Sequence, residues 1–308
     1  SIITNYKIMK QALKNILTLS FLWIVSSTTF AQVNILNAKV PTEIGEKTTA
    51  QQESDNDVPL PYGYVDDRDI MWSTTTWELV DLEERANFPL LFPIDTMEIG
   101  ADRRSLYDVL LRAMKEKKLT ETYTDSYFTE KRTFDDLKYS LSKADTLDAG
   151  YEILNQGQPL PPEYIVRTDL TSRDIVQYRI KGLWYFDKRQ GELKYRLLGI
   201  APVAPDVSVL GTDDAQSNLV ELFWVWYPAA RNILHKARVF NQLNSANRIS
   251  FDHLLNARRF VGVIYKEDNV YGDREIKKYL PDNALYQLLE AERIKQRIRD
   301  REQDMWVY

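Results

Sequence analysis

The stretch from Ile175 to Tyr227 constrains the fold more than any other part of the chain. Val176, Tyr178, Ile180, Gly182, Trp184 and Phe186 share one parity, and Gln177, Arg179 and Lys181 share the other. A period of two marks a half-buried strand, because successive side chains of extended backbone point to opposite faces. From Leu183 and Tyr185 the second face turns apolar too. Lys188-Arg189-Gln190-Gly191 then forms a short polar turn, and alternation resumes from Glu192 to Ala201 through Leu193, Tyr195 and Leu197. The pair reads as an antiparallel hairpin. Pro202 and Pro205 are expected to close its second strand, since proline cannot donate to a ladder. Beyond a polar loop, Val220 to Tyr227 is apolar on both parities, which predicts a strand inside the sheet with both faces covered.

Helical spacing dominates elsewhere. Met71, Trp72, Leu79, Leu82 and Ala86 fall on one helical arc, which predicts a first helix from Asp69, stopped before Pro89; Pro89 to Pro93 then reads as extended. Asp102 is expected to cap a second helix with Leu106, Val109, Leu110, Ala113 and Met114 inward. Thr133, with Asp136 in the capping-box position, starts a third. The prolines at 159, 161 and 162 make residues 145–170 a connector and a soft domain boundary. Pro228 sits where a helix tolerates its missing N–H, Ser250 caps a short helix, and Phe260 to Tyr265 is a further apolar strand. Asp273 to Leu280 reads as helical. The fold class is α+β, with a mainly helical part over residues 62–160. Residues 161–308 then carry an antiparallel sheet, flanking helices and a long terminal helix.

That terminal helix runs from Pro281-Asp282 to about Met305 and carries two apolar patches. At about 100° per residue, Leu285, Leu288 and Leu289 share one face, while Ala291, Ile294, Ile298 and Met305 share another roughly opposite. The leucine patch is expected to pack on the parent domain. The second, flanked by Arg293, Lys295, Arg297 and Arg301, is then left for another protein, so Ile294, Arg297, Ile298, Arg301 and Met305 are the candidate partner-binding residues. On this reading, removing residues 297–308 leaves a folded monomer that fails to assemble.

Of the 308 residues 44% are hydrophobic and 28% charged, the balance of a globular chain rather than a disordered one. Met9 to Lys14 followed by the apolar run Ile16 to Val25 and Thr28-Thr29-Phe30-Ala31 has the order of a secretory signal, with cleavage expected between Ala31 and Gln32. An uncleaved anchor is the alternative, against which the run is short for a membrane span. Residues 32–61 read as a flexible polar arm. The formal charge is −5, and losing Lys7, Lys10 and Lys14 with the signal makes the remainder more acidic, which argues against nucleic acid as a partner. Cysteine is absent, so disulfides, thiolate metal sites and a lipid-modified cysteine anchor are excluded from this sequence.

No phosphate-binding loop, dinucleotide fingerprint, nucleophile elbow or zinc-protease motif occurs. The two histidines, His235 and His253, lack metal-pair spacing and read as solvated surface groups. No catalytic, cofactor or metal residue is assigned. Two other possibilities remain. Asp187 and Glu192 flank the hairpin turn and would face each other as the carboxylate pair of a glycan hydrolase. Trp184, Trp224 and Trp226 would stack on sugar rings in a glycan-binding module, although tryptophans on a strand apolar on both faces are more often core.

Several ordered segments resemble the GldN (PorN) family of gliding-motility proteins. They are Asp69 to Ser73, Arg104 to Leu111, Asp174 to Lys181, Trp184 to Lys188, Leu198 to Pro202, Phe223 to Arg231, Ile264 to Tyr271 and Leu289 to Lys295. The resemblance implies a periplasmic component of the type IX secretion system. It would be held at the outer membrane by a lipoprotein of the GldK (PorK) kind, self-associate with it in a ring, and contact a trans-envelope subunit of the GldM (PorM) kind. It implies no catalytic residues.

Overall fold

The computed structural model describes residue 40 and residues 58–305, apart from 96–102, 156, 158, 160, 213, 214, 216 and 240–248. The signal segment with its Ala31-Gln32 junction, most of the arm, and Asp102 therefore lie outside the described residues. Residues 59–308 cluster as one compact unit.

The fold is α+β. Its main sheet is antiparallel throughout and built on three long strands, β1 (Ile70–Asp81), β5 (Gln177–Asp187) and β6 (Glu192–Pro205). The order is β2-β8-β6-β5-β1-β9, where β2 is Thr122–Tyr123, β8 is Trp224–Trp226 and β9 is Val263–Glu267; β7 (Leu219–Glu221) pairs with the end of β6. A separate two-stranded ribbon joins β3 (Ser142–Thr146) to β4 (Ile165–Asp169) inside the expected connector.

The β5–β6 hairpin forms as its alternation predicts, with Asp187 opposite Glu192 across the turn. Strand β6 continues through Pro202 to Pro205; the carbonyl of Pro202 still accepts from the N–H of Leu222. The expected single strand 220–227 is two short ones, β7 and β8, and Tyr227 opens the next helix.

The largest departure is β1, which replaces the helix expected from Asp69. Its centre is Thr74-Thr75-Thr76-Trp77, a run of β-branched and aromatic residues with poor helical and good strand preference. Paired from Ile70 to Asp81 with β5 and along its other edge with β9, it ties the early part of the chain into the sheet of the later part.

Helices complete the unit: α1 (Phe88–Leu91), where an extended piece was expected, α2 (Leu106–Lys115), α3 (Phe134–Leu141), α4 (Asp148–Asn155), α5 (Tyr227–Lys236), α6 (Phe251–Asn256), α7 (Ile276–Tyr279) and α8 (Ala284–Met305). Ser105 caps α2 by accepting from the N–H of Asp108, Thr133 and Asp136 form the capping box of α3, and Ser250 caps α6. The predicted stripe of α2 is buried in full: Leu106, Val109, Leu110, Ala113 and Met114.

Cross-strand partners share a face, so register sorts the core. Val80 opposes Tyr178, Glu78 opposes Ile180, and Ile180 opposes Ile200. On this face the apolar residues join α2, α5 and α6 in the main core. Trp77 opposes Lys181, and Arg179 lies between Leu79 and Ala201 on the other face, where Trp77, Ala201 and Trp224 are covered by Tyr123, Phe128 and Tyr265. Two glycines make room for rings: a Cβ on Gly182 would fall 2.0 Å from the Tyr195 hydroxyl, and one on Gly199 would fall 2.6 Å from the Phe128 ring.

Strand β1 carries a buried charge. Glu78 is 1% exposed and meets Arg258 at 2.8 Å, and that guanidinium lies 4.2 Å from the centre of the Tyr195 ring. Removing one partner leaves the other charged and desolvated, at a cost of about 3–5 kcal/mol. Glu78→Ala is therefore expected to lower the urea-unfolding free energy by about that much, and Glu78→Ala with Arg258→Met to recover part of the loss. Equal destabilisation in the single and double variants would contradict this account.

Candidate interaction surface on the terminal helix

Helix α8 is 22 residues long and amphipathic on two sides, as the spacing predicts, but its faces are used the opposite way round. Ala291 and Ile294 are 0% exposed and Ile298 is 3%. They form a second core with Ile264 of β9 and Ile276 of α7, packed against Trp72, Trp184, Leu193, Tyr279 and Leu280. Burying the two isoleucines contributes about 3–6 kcal/mol. Leu285, Leu288 and Leu289 are 64%, 47% and 54% exposed, and Tyr286 beside them is exposed as well.

Ile294 and Ile298 are thus core residues and unavailable to a partner in the folded chain. Met305 is half-buried, while Arg297 and Arg301 are exposed. The basic flank is largely paired within the molecule: Arg293 with Glu290 at 2.7 Å, Lys295 with Glu292 at 3.0 Å, and Arg297 with Glu267 of β9. Truncation from residue 297 would remove Ile298 from the second core, so the folded monomer expected of that truncation is undermined.

The inward stripe had a signal in the spacing that local counting passed over. Positions 287, 291, 294 and 298 repeat at four and three residues along most of the helix, and Gln287 at its start donates to the Leu280 carbonyl at 2.8 Å. The leucine patch does not repeat: one and two turns on stand Glu292 and Gln296. A stripe that continues suits a long contact with the parent fold, and a patch that stops suits a local one.

Asp187 is buried and accepts from the N–H of Arg189 at 2.9 Å, a turn-capping contact, while Glu192 is exposed. Trp224 is fully buried; Trp184 and Trp226 are half-buried, the first 4.9 Å from the Tyr195 ring and the second 4.9 Å from Phe128. The N–H of His253 serves the α6 cap through Ser250. Among the described residues no group of three or more potential metal ligands occurs, and no helix is long and apolar enough to cross a membrane.

A cationic cluster on the second sheet face escaped the sequence reading because its members are far apart in the chain. Lys181 and Lys266 lie 4.9 and 4.2 Å from the centre of the Trp77 ring, with Tyr127 alongside. Burial, with the neighbouring Lys266 for Lys181, holds both ammonium groups below the ordinary lysine range. Both are nonetheless tied down: Lys181 donates to the Ser126 carbonyl at 2.9 Å and Lys266 to the Tyr127 hydroxyl at 2.8 Å. The arrangement fastens the 124–130 loop to the sheet.

The sequence pattern of the family described as "Gliding motility associated protein GldN" matches residues 65–307. The chain belongs to the GldN family. No curated protein matches it. Membership makes it a component of the gliding-motility and type IX secretion machinery. The GldN match takes in the sheet, the helices α1 to α7 and the whole of α8, so the exposed leucine patch lies within the family's own span.

The two faces of α8 are separable by mutation. Ile294→Ala is expected to cost about 2–4 kcal/mol of folding stability, and Leu289→Ala to stay within about 0.5 kcal/mol of the parent. Chemical denaturation of the two variants checks this, and comparable losses would refute the assignment of faces.

Proposed function

We propose that this chain is a non-enzymatic structural subunit of a periplasmic ring in the type IX secretion and gliding machinery. The subunit assembles with further copies of itself and with an outer-membrane lipoprotein of the GldK (PorK) kind, which tethers it, and it contacts a trans-envelope subunit of the GldM (PorM) kind. Membership of the GldN family supports this reading.

The observation that carries it is the second apolar side of α8. Leu285, Tyr286, Leu288 and Leu289 are contiguous on a helix whose other side is already committed to the core, so folding leaves them without a place in the monomer. Exposed clusters of large apolar groups mark interaction surfaces, because hiding them from water is worth about 25 cal/mol per Å². In this reading the patch is the seat of the lipoprotein. Trp224 is buried, and Trp184 and Trp226 pack against Tyr195 and Phe128, which gives the glycan-binding reading less support.

The test uses the full chain, tagged and recovered from cell envelopes. Leu285→Glu with Leu289→Glu is expected to abolish recovery of the lipoprotein while leaving the thermal unfolding midpoint unchanged, since both side chains are exposed. Undiminished recovery with the charged variant would remove the patch from the interface.

A further inference from the structure

We propose that residues 59–65 form a detachable strap, and that the site beneath them is a tyrosine-binding site which takes the same strap from a second copy of this chain. The Tyr62 ring is packed against two guanidinium groups, with its centre 4.0 Å from that of Arg231 and 4.6 Å from that of Arg196. Its hydroxyl donates to Oδ1 of Asn256 at 2.9 Å. Burial raises that hydroxyl above the ordinary tyrosine range, which keeps its proton in place for the bond.

The receptor is arranged without the strap. Asn256 donates to the Asp252 carboxylate at 2.9 Å and to the Tyr227 hydroxyl at 3.1 Å. Asp252 also accepts both arms of Arg231, at 3.0 and 3.1 Å, and the Tyr227 proton at 2.8 Å. All of these groups belong to α5 and α6. The strap backbone is gripped through its carbonyls, that of Gly63 by Arg196 at 3.1 Å and that of Tyr64 by Arg189 at 2.8 Å. This combination of a stacked tyrosine and two held carbonyls recognises an extended tyrosine-bearing segment.

The strap itself is lightly attached. Among the described residues no backbone-to-backbone hydrogen bond joins 59–65 to the rest of the unit. A cavity of about 290 Å³ is lined by Pro61 to Val65 on one side and by Tyr185, Lys194 and Arg196 on another, so the segment does not lie flush on the sheet. It is the first stretch of the compact unit, and the turn Asp66 to Asp69 separates it from β1 and serves as its hinge. Every contact made within one chain is then available between two. What favours the closed form is proximity, equivalent to about millimolar concentration for a short tether, and crowding of copies in an assembly offsets that advantage. The inference rests on the self-association proposed above but is tested on isolated protein.

The chain has no cysteine, so single thiols report contacts cleanly. A side chain added at Gly63 meets nothing within 4 Å, and Lys194 lines the same cavity. Full-length Gly63→Cys and Lys194→Cys proteins are unfolded together, refolded, and treated with a short bis-maleimide. A mixed covalent dimer is expected, and its yield is expected to fall about tenfold when the Gly63→Cys chain also carries Tyr62→Ala. Absence of the mixed dimer, while one chain carrying both cysteines links internally, would overturn the exchange. Failure of the double-cysteine chain to link would overturn the site itself. Loss of lipoprotein recovery in the envelope experiment bears on neither outcome.

Discussion

Strand β1 is the piece on which the rest of the structure depends. It pairs with β5 from Ile70 to Asp81 and with β9 along its other edge. Because it is internal to the sheet, it presents Val80 to the main core and Trp77 to the opposite face. Without it β9 would have no partner in the sheet, and α8, which packs on Ile264 of β9, would have no surface to cover. The placement of the terminal helix is thus a consequence of a strand more than two hundred residues away.

The same sheet carries its apolar contacts in three separate groups, with polar elements between them. The Glu78–Arg258 pair sits beside Tyr195, which borders the main core, and Trp184, which borders the second. On the other face, lysines packed on Trp77 hold a loop in place. A buried ion pair such as Glu78–Arg258 contributes little net stability beside an apolar pair of the same shape.

Parts of the candidate surface were legible before the structure. The wheel of α8 correctly divides Leu285, Leu288 and Leu289 from Ala291, Ile294 and Ile298, because helical geometry alone sets which residues share a side. Which side turns inward depends on what awaits it, and Ile264, Ile276 and Trp72 arrive from distant segments. The Tyr62 strap was hidden for a similar reason: Arg196, Arg231 and Asn256 show no common spacing, and only folding gathers them about one ring.

The amino-acid sequence by itself determined the elements whose signals are local. These are the alternation and turn of the β5–β6 hairpin, the inward stripe of α2, the Thr133–Asp136 capping box of α3, the extent of α8, and the residues that mark the GldN family. Tertiary structure alone decided that residues 70–81 are a strand, since a helical arc of apolar groups and a β-branched run compete there and the paired edges of β5 and β9 settle the contest. It also decided which side of α8 is core. Hydrogen bonding within four residues and side-chain periodicity are written in neighbouring positions, whereas ladder partners and burial are supplied by residues that the chain brings near only when it folds.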